Sequence, residues 1–69
     1  MNNDVMKDPR TTGFVAFVTD MKAVMEKHGY TPRELHVSPN DEFFCSFATV
    51  AGVRVVKDYG IQNGKLYLT

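Results

Sequence analysis

Cys45 is the only cysteine in this chain of 69 residues. A domain so small buries a smaller share of its surface than an average one, so its stability is marginal. The usual staples for a small core are disulfides, metals or oligomerisation. One cysteine forms no disulfide within the chain. Together with His28 and His36 it shows no paired C-x-x-C or H-x-x-x-H spacing, so neither a zinc site nor any other cofactor is expected. Self-association is the staple left.

The charge balance narrows the partners. Eight basic and eight acidic side chains cancel. A nucleic-acid binder normally carries a basic excess or stripe, because phosphate contacts supply most non-specific affinity. No run of about 18 apolar residues is present to span a bilayer. "MNNDVMKDPR" has no apolar h-region, so it does not read as a signal peptide. One free cysteine and no export signal point to a reducing cytoplasm.

Residues 1–8 are polar apart from Val5 and Met6 and read as a flexible N-terminal tail. Residues 9–69 read as one small α+β domain. Asp8 suits a helix N-cap and Pro9 the first helical position, where its missing N–H costs nothing. Phe14, Phe17, Val18, Met21, Val24 and Met25 then recur at steps of three and four, one stripe of a helix. Lys22 and Glu26 lie four apart and can pair. Lys27, His28 and Gly29 make a helix end, with Gly29 free to take the left-handed cap conformation. The stripe also suits a coiled-coil seam, but a domain this small is expected to use it against its own sheet.

Thr31 and Glu34 have capping-box spacing around Pro32, with room for one helical turn at most. "ELHVS" alternates as a short strand. "SPNDEFFCSFATVAG" carries a helix signature: Ser38 as cap, Pro39 first, Asp41 and Glu42 at the positive pole, and Gly52 as the stop. Val53 to Lys57 is a β-branched strand. Asn63-Gly64 is a strong turn signal, and residues 65–69 alternate as a last strand. The expected fold is a two-layer α-β-α-β-β domain. Both helices lie on one face of a short three-stranded mixed sheet. Strands 35–38 and 53–57 run parallel through a right-handed crossover, and the last strand returns antiparallel.

In that arrangement Leu35, Val37, Val53, Val55, Leu66 and Leu68 point at the helices. The opposite face shows His36, Ser38, Arg54, Val56, Lys65, Tyr67 and Thr69. Val56 and Tyr67 give it an apolar centre, and Arg54 is a residue type enriched at interfaces. A terminal strand at a sheet edge is itself a pairing template. The five residues expected to contact a partner protein are therefore Arg54, Val56, Tyr67, His36 and Lys65. The partner is another protein, a second copy of this chain included.

Enzyme chemistry finds no support. No Ser or Cys has a nucleophile context such as G-x-S-x-G. Cys45 sits in an apolar run, where a free thiol behaves as a small core hydrophobe. Asp41 and Glu42 are adjacent and diverge on a helix. "GIQNG" has no phosphate-loop pattern. The competing reading is a nucleic-acid-associated regulator using Lys65, Tyr67 and Arg54 as a small basic-aromatic platform.

The layout of residues 34–69 also resembles a segment of the major capsid proteins of tailed bacteriophages. There a strand ending in "VSP" leads to a helix, a "G-V-x-V-V" strand, a loop and a "G-x-x-Y-L" strand. Here these are Val37-Ser38-Pro39, the strand from Gly52 to Val56, and Gly64 to Leu68. The resemblance implies a small phage or prophage accessory protein, in the host cytoplasm or in the virion. It carries over no binding residue.

Overall fold

A computed structural model describes residues 9–69. Asp8 and the expected tail lie outside the described residues. The elements run α1 (Pro9–Lys27), β1 (Glu34–Val37), α2 (Glu42–Cys45), β2 (Thr49–Val50), β3 (Val53–Lys57) and β4 (Leu66–Leu68). The described residues form a small α+β domain with two helices and a four-stranded mixed sheet in the order β2-β3-β1-β4.

Helix α1 ends as its sequence dictates. Gly29 takes φ 92°. The N–H of Tyr30 donates to the Met25 carbonyl at 3.0 Å and that of Gly29 to Glu26 at 3.1 Å, so the chain closes in a Schellman motif. The Thr31–Glu34 stretch forms no helical turn. Glu34 instead opens β1, and Arg33 already bonds to sheet neighbours through Thr69 and Arg54.

The largest departure from the sequence reading lies at residues 38–52. The second helix is only Glu42–Cys45, and its cap is Asp41, whose carboxylate accepts the Phe44 N–H at 3.2 Å. Ser38 is buried rather than capping or facing solvent. Its Oγ accepts from the Asn40 N–H, and its carbonyl accepts from the Asp41 N–H and the Cys45 thiol. Gly52 does not end a helix. Ala51 (φ 51°) and Gly52 (φ 79°) form a two-residue turn that pairs Val50 with Val53. Positive φ at both central residues marks a type I′ hairpin, whose twist suits antiparallel strands. Thr49 and Val50 thus become a fourth strand, and the sheet has four strands rather than three.

Strands β1 and β3 are parallel, with Leu35 beside Val55 and His36 beside Val56. Strand β4 is antiparallel to β1, with Leu35 opposite Leu68 and His36 opposite Tyr67. Residues paired in register share a face, and alternate residues face oppositely. One face therefore holds Leu35, Val37, Val50, Val53, Val55, Leu66 and Leu68. These join Phe14 and Val18 of α1 in one core, against which Phe43, Phe44 and Phe47 also pack. The Phe14 ring lies 4.9 Å from Phe44, 5.0 Å from Phe47 and 5.6 Å from Phe43, centroid to centroid. Such aromatic pairs add about 0.5–1.5 kcal/mol each beyond the area they bury.

Only part of the α1 stripe is consumed. Thr11, Phe14 and Val18 are buried, while Phe17 is 47% and Val24 56% exposed. Lys22 reaches the sheet: its Nζ donates to the Ala51 carbonyl at 3.1 Å and ties the middle of α1 to the β2–β3 turn.

Candidate interaction surface

Alternation along β1, β3 and β4 places Glu34, His36, Arg54, Val56 and Tyr67 on the sheet face away from the core. His36 is the centre of a row that runs Val56, His36, Tyr67 across three strands. The Tyr67 ring stands edge-on to the imidazole at 6.2 Å, and Tyr67 itself is exposed. Four of the five expected contact residues are thus brought together. Lys65 is exposed in the loop before β4, its N–H donating to the Gln62 carbonyl in the Asn63-Gly64 turn. Thr69 lies just past β4 but continues its pairing, exchanging backbone bonds with Glu34 at 2.9 and 3.1 Å.

A polar chain crosses this face that the sequence reading missed. Arg54 Nη2 donates to Glu34 Oε2. Glu34 Oε1 meets His36 Nε2 at 3.0 Å, and His36 Nδ1 meets Asp58 Oδ2 at 2.9 Å. The other Asp58 oxygen accepts the Gly60 N–H at 2.8 Å, which fixes the carboxylate in its turn. Both nitrogens of one imidazole therefore face oxygens that only accept. A neutral imidazole has one N–H and can satisfy one of them; the imidazolium satisfies both. The hydrogen bond to Asp58, seconded by Glu34 and opposed by partial burial, raises the His36 pKa above its ordinary value. The Arg54 hydrogen bond, then that of His36, lowers Glu34. The Gly60 N–H, then His36, lowers Asp58.

Two parts of this chain were within reach of the sequence. Glu34 and His36 are two apart on a strand and must share a face. Asp58 was not, because its place beside His36 depends on the β1–β3 register and on the turn after Lys57.

The arrangement limits what the face can do. An imidazole held between two carboxylates has no free nitrogen lone pair when charged, so it is poorly placed as a general base. Glu34 and Asp58 offset Arg54 locally, so the face is a mixed-charge surface rather than a phosphate track. Among the described residues no group of three or more His, Cys, Asp or Glu is disposed to hold a metal. No helix of the described chain is long and apolar enough to cross a membrane.

Among the described residues, strand β4 is an outer strand with no neighbour on its far side. Glu34 and Thr69 form a mutually bonded pair, so by alternation His36 and Tyr67 form the next one. The backbone groups of Leu66 and Leu68 then point away from β1. Beside this edge lies a hollow of about 310 Å³ bordered by Gly60, Ile61, Gln62, Lys65, Leu66 and Tyr67. Comparison with protein-family models, curated proteins and solved structures finds no match to this chain.

Proposed function

We propose that this chain is a non-enzymatic protein-binding module that receives an extended segment of another protein along β4. The observation that carries the reading is the outward-facing backbone of Leu66 and Leu68 beside the Lys65–Tyr67 hollow. Strand addition draws affinity from main-chain hydrogen bonds and specificity from pockets for alternate side chains. Tyr67 supplies the exposed aromatic anchor, and Val56 the apolar floor next to it. Arg54, His36 and Lys65 form the polar rim. A phage or prophage accessory role is the biological setting we favour, on the layout of residues 34–69 alone.

The test is partner capture by wild type and by the Tyr67→Ala and Val56→Asp variants, followed by amide exchange on the complex. A partner lost by both variants, with new protection at Leu66 and Leu68, supports the proposal. Identical partners for all three proteins, or protection confined elsewhere, overturns it.

A further inference from the structure

Among the described residues, α1 as well as the sheet leaves apolar surface open. Phe17 and Val24 are exposed, and with Asp20, Met21 and Met25 they line a groove of about 330 Å³. At about 100° per residue, Thr11, Phe14, Val18 and Met25 point to the domain's own core. Phe17, Met21, Val24 and His28 form a second line roughly a quarter-turn away. Their steps of four, three and four are those of a coiled-coil seam.

The charges beside this seam say what fits it. An antiparallel pairing that sets Met21 opposite Val24 of a second copy also sets Phe17 opposite His28. The same register places Asp20 beside Lys27 of the second copy, on the flank away from the core, and two-fold symmetry makes the pair twice. A parallel pairing would instead set Asp20 against Met25 and leave the carboxylate without a cation. The other flank, Val18 and Met25, is apolar because it faces the domain's own core. We therefore propose that α1 pairs antiparallel with α1 of a second copy, through Phe17, Met21, Val24 and His28, with two Asp20–Lys27 ion pairs fixing the register. This interface is separate from the β4 edge and stands or falls independently of the function proposed for that edge. It also provides the staple that a small single-cysteine domain lacks.

Sedimentation of the full chain over a dilution series tests it, with circular dichroism confirming the fold of every variant. Wild type is expected to show a concentration-dependent dimer, and Val24→Asp only monomer. Asp20→Lys and Lys27→Asp each turn two attractive pairs into repulsive ones and are expected to weaken the dimer about fivefold or more. An equimolar mixture of these two variants restores both pairs and is expected to recover a heterodimer near wild-type strength. Wild type that stays monomeric to millimolar concentration overturns the proposal, including a monomer that dimerises only when residues 1–8 are removed. So does a dimer lost in Val56→Asp or Tyr67→Ala but kept in Val24→Asp. Failure of the mixture to recover overturns the antiparallel register.

Discussion

The two apolar lines on α1 repeat at one spacing and meet opposite fates. On the first, Phe14 is 7% and Val18 1% exposed, enclosed by the sheet and by the α2 aromatics. On the second, Phe17 is 47% and Val24 56% exposed. The difference is one of direction: at about 100° per residue the second line stands roughly a quarter-turn from the first. The first meets the sheet, and Phe43, Phe44 and Phe47 all gather around Phe14. A helical stripe records that a face is apolar; it does not record how much of that face its own domain can cover.

The contrast is broken most directly by truncating one residue from each line. Phe14→Ala is expected to cost about 3–5 kcal/mol, enough to unfold much of a domain this small. Val24→Ala is expected to change the stability of the monomer by no more than about 0.5 kcal/mol. Urea titrations at a concentration where the monomer prevails measure both. Equal losses would mean that both lines are buried in solution.

The β2–β3 turn, which holds the middle of α1 through Lys22, gives the next effect. Gly52→Ala places a Cβ at φ 79° and 3.4 Å from Lys22 Nζ, so it is expected to destabilise by about 1 kcal/mol or more. Ala51→Asn should act oppositely and raise stability by a few tenths of a kcal/mol, because asparagine tolerates the left-handed region. Thermal melts of the two variants should move in opposite directions. Lys22→Met removes the bond to Ala51 while keeping the apolar stem. It should cost about 0.5–1.5 kcal/mol, and a null result would detach α1's midpoint from the hairpin.

The polar face yields the smallest effect and sharpens the comparison by serving as its control. The folded state raises the His36 pKa, so its stabilisation is full below the ordinary value of 6.5 and is lost as pH rises through the folded value. Glu34 and Asp58 are lowered, so theirs is present above the ordinary 4.5 and 3.8 and is lost as pH falls through the folded values. The network is therefore strongest between those carboxylate values and the raised His36 value. An NMR titration should place His36 above 6.5, and His36→Gln should remove the matching decline in stability at higher pH. The His36 titration should not change with protein concentration if α1 forms the self-contact. A concentration-dependent shift would move that contact to the sheet.

Much of the fold was legible because it rests on local rules. The stripe from Phe14 to Met25, the glycine stop at Gly29, the β-branched run Val53–Lys57 and the Asn63-Gly64 turn each signal their element within a few residues. The stretch 38–52 was not. Its cap residues, Ser38 and Asp41, are both good acceptors, and its apolar residues fit a long helix as well as a short one. Ala51-Gly52 lacks the Asn-Gly or Asp-Gly signature of a type I′ turn, so nothing local announced the hairpin. Tertiary pairing of Val50 with Val53 decided it, by burying two β-branched side chains in the core. At the candidate surface, alternation alone put His36, Arg54, Val56 and Tyr67 on one face. The ion chain from Arg54 to Asp58 needed the register between strands.

The sequence by itself determined which faces are apolar and which residues share them, because a helix and a strand each repeat their side-chain directions at a fixed period. Only the tertiary structure decided which of those faces is covered, since burial depends on the distance and register of segments far apart in the chain. That is why Phe14 and Val24, both on the apolar side of one helix but roughly a quarter-turn apart around it, became a core residue and an open surface.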